Sequence, residues 1–141
     1  MNPPAIIASV LLAAGTVHGA DAEARFFAAL AQVEGKHGTS DRGQAMGPYQ
    51  IHVDYLLDAL EFRTSLDFGV GCWRACRNEG YGRQIVRAYL QRYARRAWRR
   101  QDWKRLAMVH NGGPSIFQRG HEKARERAER FAQRVVNLMG P

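Results

Sequence analysis

Apolar residues recur at helical spacing along most of this chain. Phe26, Phe27, Leu30 and Val33 predict a helix that Asp21 can cap, beginning at Ala22 and ending near Glu34, where Gly35 and Gly38 follow. Residues 35–48 are rich in Gly, Ser, Thr and Asp and read as a loop or a short irregular hairpin. Pro48 suits the first turn of a new segment, and Ile51, Tyr55, Leu56 and Leu60 predict a short helix. Residues 63–80 show no clear period. From Tyr81 to about Arg99 one helix is predicted, with Ile85, Val86, Tyr89, Leu90, Tyr93 and Ala97 on its apolar stripe. Arg83, Arg87, Arg95 and Arg99 occupy its opposite face. Asp102 is placed to cap a further helix carrying Trp103, Leu106 and Ala107, which stops at the breaker run Asn111-Gly112-Gly113-Pro114. On a last helix Ala124, Ala128, Phe131, Val135 and Leu138 face the core, and Glu126 with Arg130 makes an i, i+4 pair. No run alternates cleanly as a strand. The prediction is a mainly α fold: a small helical bundle with a short irregular or hairpin segment near residues 35–50.

Length and composition narrow this picture. A chain of 141 residues fits one domain, and 45% hydrophobic with 24% charged residues excludes a disordered polyelectrolyte. Residues 3–17 are apolar and uncharged, and Gly19 and Ala20 follow. They read as a secretory leader too short to span a bilayer, cleaved near Gly19 or Ala20, which leaves 21–141 as the functional domain in an exported, periplasmic or secreted location. The alternative is a buried N-terminal helix, because no Lys or Arg precedes the apolar core. Export would place Cys72 and Cys76 in an oxidising compartment, where their i, i+4 spacing allows a strained bridge. Two free buried thiols fit equally well. No second cysteine pair or close histidine pair accompanies them, so no metal site is expected.

The formal charge is +8, from 21 Lys and Arg against 13 Asp and Glu. Such a surface favours anionic partners: nucleic acid, an acidic membrane or an acidic wall polymer. The arginines are spread over several helices rather than along one stripe, so no specific nucleic-acid interface is expected.

Several chemistries can be set aside. His121-Glu122-Lys123-Ala124-Arg125 begins like a zinc-protease helix but carries Arg125 where the second histidine ligand belongs. There is no phosphate loop and no serine nucleophile elbow. The informative region is Glu34 to Ile51. Glu34 stands where an apolar helix gives way to a Gly-rich loop. The negative end of the helix and partial burial beside Val33 and Phe27 both favour a neutral acid there, which is the form a general acid needs. Asp41, in a polar loop, is expected to stay ionised. Two carboxyls in contrasting environments across a cleft suit glycoside hydrolysis. A solvated helix-end Glu34 and a turn-forming Asp41 are the plain alternatives.

Three stretches add to this: Gly43-Gln44-Ala45-Met46-Gly47-Pro48-Tyr49-Gln50-Ile51, Ile85 through Ala94, and Leu106-Ala107-Met108-Val109-His110-Asn111-Gly112-Gly113-Pro114. In this order and spacing they resemble the lysozyme-like superfamily, most of all the invertebrate-type (destabilase) lysozymes and bacterial relatives of the soluble lytic transglycosylase kind. The similarity spans roughly residues 26–138. It implies a small lysozyme-like α+β helical fold with a sugar-binding cleft. Glu34 matches the catalytic acid and Asp41 the second carboxylate. Gly47, Tyr49 and Gln50 fall in the segment lining the cleft floor. His110, Asn111 and Gly112 fall in the turn that faces substrate from the other side. Tyr93 falls near an aromatic position behind the acid. Three departures stand out: Glu34 is followed directly by Gly35 where the family usually has Glu-Ser-Gly, the loop from Glu34 to Asp41 is short, and most of the relatives' cysteines are missing. His110 also has a plain alternative as a cation at a helix C-terminus. Gly112 and Gly113 suit backbone geometry, and Tyr89, Tyr93 and Trp98 suit a core.

The resemblance implies a bacteriolytic muramidase that hydrolyses the β-1,4 link between N-acetylmuramic acid and N-acetylglucosamine in peptidoglycan glycan strands, without cofactor or metal. A lytic transglycosylase leaving a 1,6-anhydro product is the nearest alternative. A basic wall- or polyanion-binding protein without catalysis is the alternative of another class.

Overall fold

The computed structural model describes residues 14–35 and 43–141, with side chains from residue 19 onward. Asp41, His37 and most of the apolar N-terminal stretch lie outside the described residues. Seven helices are described: α1 (Ala14–Glu34), α2 (Val53–Phe62), α3 (Cys72–Ala75), α4 (Glu79–Tyr93), α5 (Arg95–Arg100), α6 (Trp103–Gly112) and α7 (Glu122–Met139). Two short antiparallel strands, β1 (Ala45–Met46) and β2 (Ile51–His52), pair Ala45 with His52 and Met46 with Ile51. The fold is therefore mainly α with one small hairpin inside the segment that the sequence marks as irregular. None of the described helices is long and apolar enough to cross a membrane.

The core gathers around α1. Phe26, Phe27 and Leu30 are fully buried together with Ile85, Val86, Leu90, Leu106 and Val135 from α4, α6 and α7. Each such side chain contributes roughly 1.5–3 kcal/mol of transfer free energy. Helix α7 packs on α1 and α6, and α2 packs on α4. Arg25 fastens the end of α7 to α1 by donating from Nη1 to the carbonyls of Met139 (3.2 Å) and Pro141 (2.8 Å). A cation at a helix C-terminus is favoured there by the carbonyls that the helix leaves unpaired.

Several expectations are corrected. Helix α1 begins at Ala14, so Asp21 lies inside it and pairs with Arg25 at 3.4 Å instead of capping it. Pro48 turns the hairpin rather than opening a helix, with the Gln50 amide donating to the Gly47 carbonyl at 3.1 Å. Ile51 lies in β2 rather than in the short helix. The long helix predicted from Tyr81 to Arg99 divides at Ala94, whose backbone (φ −130°, ψ 40°) leaves the helical region. The break re-aims α5 so that Trp98 meets Trp103 edge-on at 6.3 Å. Arg83 and Arg87 do not line a solvated face. Both are half-buried, with their guanidinium carbons 5.6 and 5.7 Å from the Phe27 ring centroid, and Arg87 pairs with Glu23. Leu138 is exposed and Met139 takes the buried position at the end of α7. Among the described residues Glu126 and Arg130 form no pair, whereas Glu122 and Arg125 do at 3.7 Å. The Asp102 cap holds: its carboxylate accepts the Arg105 amide at 3.1 Å.

Helix α3 clamps the hairpin. Trp73 Nε1 donates to the Ile51 carbonyl at 3.2 Å. Gly47, at φ +74°, lies so close to the Cys76 carbonyl that any Cβ would overlap it. Cys72 and Cys76 are both free and buried, and the Cys76 thiol donates to the Cys72 carbonyl at 3.4 Å. Burial, and then the neighbouring Cys72, push the Cys76 thiol up to about 12.

Two predictions follow from this clamp. Gly47→Ala costs about 3 kcal/mol or more by chemical denaturation, because backbone strain and overlap add. Gly69→Ala, at φ +88° with nothing within 4 Å, costs only about 1–2 kcal/mol. Unfolding free energy falls as pH rises from about 8.5 toward 12, because the unfolded chain releases the Cys76 proton in that interval while the folded chain retains it. Urea midpoints between about pH 8 and pH 11 measure the slope, and Cys76→Ala makes it shallower.

Candidate active site

Glu34 is the last residue of α1, and Gly35 at φ +92° ends the helix, its amide still donating to the Ala31 carbonyl at 3.3 Å. The Glu34 side chain is only 16% exposed, and its Oε1 lies 3.1 Å from Nε2 of His110. His110 sits in the last turn of α6 with a side chain 3% exposed. Its other nitrogen, Nδ1, is 2.9 Å from the Tyr55 hydroxyl on α2. A buried imidazole is costly unless both nitrogens are satisfied, and here both are. The three side chains thus form a continuous chain, Glu34–His110–Tyr55, contributed by α1, α6 and α2.

An aromatic wall supports this chain. Tyr55 stacks on Tyr89 with centroids 3.6 Å apart and 12° between planes, and Tyr89 meets Tyr93 edge-on at 4.9 Å. Phe131 of α7 lies 6.3 Å from the imidazole on another side. Burial, then Tyr89 and the Glu34 carboxyl, push the Tyr55 phenol well above its ordinary value, so it stays protonated. Tyr89 is raised to about 12, first by burial and then by Asp58 and Tyr93.

The hydrogen-bond chain fits two protonation states of Glu34. In one, Tyr55 donates to Nδ1, and Nε2–H donates to an ionised Glu34. In the other, Glu34 carries a proton on Oε2, while Nε2–H still donates to Oε1 and Tyr55 to Nδ1. They differ by the one proton on Oε2, so the same geometry accommodates Glu34 as an acid and as a base. Oε2 of Glu34 makes no hydrogen bond among the described residues.

The other residues expected at the site fall into different positions. His110 joins Glu34 directly, and Asn111, next to it, is exposed. Tyr49 is fully buried, its ring 5.8 Å from Phe27, and is a core residue rather than a floor for a ligand. Its hydroxyl has no hydrogen-bond partner among the described residues although Arg83 is beside it; burial raises its pKa and Arg83 partly offsets that. Gly47 serves the close approach to Cys76, and Gly112 leaves room for Ile116, whose Cδ1 a Cβ would meet at 2.5 Å. Gln50 is half-buried at φ 49°, and its side-chain amide donates to the Gly47 carbonyl at 2.8 Å, bracing the turn. Tyr93 and Trp98 are half-buried. Sequence reasoning counted Tyr55 only as an apolar helix position. Its place one turn and a half above Leu60 carries no signal for a partner on α6. Among the described residues no cluster of His, Cys, Asp or Glu is arranged to hold a metal ion.

Tyr55→Phe removes the partner of a buried Nδ1 and is expected to cost about 1–3 kcal/mol in urea unfolding. It also alters the His110 imidazole proton resonances without displacing the Tyr89 ring. Comparison of this chain with protein-family models, with curated proteins and with solved structures finds no match.

Proposed function

We propose that the protein is a peptidoglycan-cleaving glycosidase, a muramidase with Glu34 as general acid. The observation that carries this reading is the seat of Glu34: a helix-terminal carboxyl, mostly buried, bonded to a buried histidine that is itself bonded to a buried tyrosine. A solvated helix-end glutamate would have no such partners. Protonated Glu34 donates to the glycosidic oxygen as the bond to the anomeric carbon breaks, and positive charge develops on the sugar ring. The resulting Glu34 carboxylate is held by Nε2–H of His110 and next takes a proton from the attacking water. His110 and Tyr55 are positioning residues that stabilise each protonation state in turn. Asp41, seven positions beyond Glu34, is the proposed second carboxylate, bonding to the anomeric carbon or stabilising the cation. A formal charge of +8 supports the same reading, since charge would concentrate the enzyme on an anionic wall, less so at high salt, and export is part of the proposal.

Glu34→Gln is expected to lower wall-degrading activity by at least about 100-fold while wall binding and melting temperature hold. Undiminished lysis would instead mean a basic binder that acts by charge. Product masses separate the two enzymatic readings: hydrolysis yields fragments heavier by one water than the anhydro products of a lytic transglycosylase.

A further inference from the structure

A cavity of about 600 Å³ opens where α5 meets α6, and five of the residues that line it are arginines: Arg92, Arg95, Arg96, Arg100 and Arg105. Arg92 is already engaged, donating to Glu61 at 2.9 Å and lying 3.8 Å from Asp58. The other four have no carboxylate partner among the described residues. Arg105 lies over the Phe117 ring, 3.9 Å from its centroid, so its guanidinium is held flat at the cavity wall. The cavity's lone carboxylate is Asp102, which is occupied in part by capping α6. Val109, Pro114 and Phe117 supply an apolar side. Two arginines outside the cavity are paired by contrast: Arg83 with Glu79 at 2.8 Å, and Arg87 with Glu23. Four like charges converging on one concavity repel one another, and an anion in the concavity relieves that repulsion.

We propose that this cavity is a binding site for a phosphate or diphosphate group. Four guanidinium groups facing one carboxylate leave three charges unmatched, so a monocarboxylate compensates poorly. A phosphate carries about −1.5 to −2 at neutral pH and offers three acceptor oxygens, and a diphosphate offers more of both. Planar guanidinium forks match phosphate oxygens in pairs, which ammonium groups do not. The phosphate is either a free inorganic anion or the head of a small organic ester that lays its body on Val109, Pro114 and Phe117. The inference does not depend on the glycosidase reading, because none of these residues belongs to the Glu34–His110–Tyr55 chain.

Inorganic pyrophosphate, titrated by calorimetry into the full-length protein at about 150 mM salt, tests it, since diffuse surface attraction is largely screened there. Saturable 1:1 binding and a higher melting temperature are expected. Arg96→Gln with Arg100→Gln should weaken binding at least about tenfold, the effect of losing two charge-assisted contacts. Arg99→Gln removes one equal charge from the same helix outside the cavity and should change affinity less than about twofold. Arg105→Gln is the second variant should the double substitution impair folding, and it should weaken binding likewise. Phenyl phosphate binding more tightly than orthophosphate assigns an organic ester, and equal affinity assigns the free anion. No saturable binding, acetate binding as well as pyrophosphate, or equal weakening by Arg99→Gln would each overturn the proposal.

Discussion

A buried imidazole bonded on both sides brings three helices to one point. His110 can lie within the protein only if Nε2 and Nδ1 both find partners, and those partners are Glu34 at the end of α1 and Tyr55 on α2. The end of α1, the last turn of α6 and the first turn of α2 are therefore mutually fixed. The stacked Tyr55–Tyr89 pair extends that constraint to α4, and Phe131 extends it to α7. A carboxyl at a helix terminus is ordinarily free to swing in water. Here it is mostly enclosed and has a defined partner.

The hairpin is built by the opposite device, a lack of side chain. Gly47 lets the turn rest on the Cys76 carbonyl, Trp73 takes the Ile51 carbonyl, and the Gln50 side chain closes the turn on Gly47. Tyr49 then drops into the core between Phe27 and Gly82, where a Cβ would stand 3.1 Å from the tyrosine ring. Residues that a motif would assign to ligand contact are thus used to seat the segment.

The arginines divide by environment rather than by sequence spacing. Arg83 and Arg87 spread over Phe27 and bury their aliphatic stems, which is how long cationic side chains cover apolar surface. Arg25 ties down a helix end, and Arg92 bridges α4 to α2 through Glu61. Arg95, Arg96 and Arg100 find no acid among the described residues and crowd one concavity. A net charge of +8 therefore does not describe an evenly basic surface. Several cations are locally paired, whereas Arg95, Arg96, Arg100 and Arg105 gather at the junction of α5 and α6.

Local pattern alone determined the helical class, the caps at Asp102 and Gly113, the breaker at Asn111–Pro114 and the core stripe on α4, since each follows from backbone chemistry or from side chains a few residues apart. It also marked Glu34 as unusual, because a carboxyl at the end of an apolar helix is visible in one dimension. The break at Ala94, the half-burial of Arg83 and Arg87 and the burial of Met139 were decided by packing between helices, which no short window contains. So was the partner of His110: Tyr55 lies 55 positions away in the chain, and only the folded placement of α6 beside the start of α2 brings the hydroxyl within 2.9 Å of the ring. Spacing can nominate a residue for chemistry, but a hydrogen bond between distant residues exists only once the chain has folded.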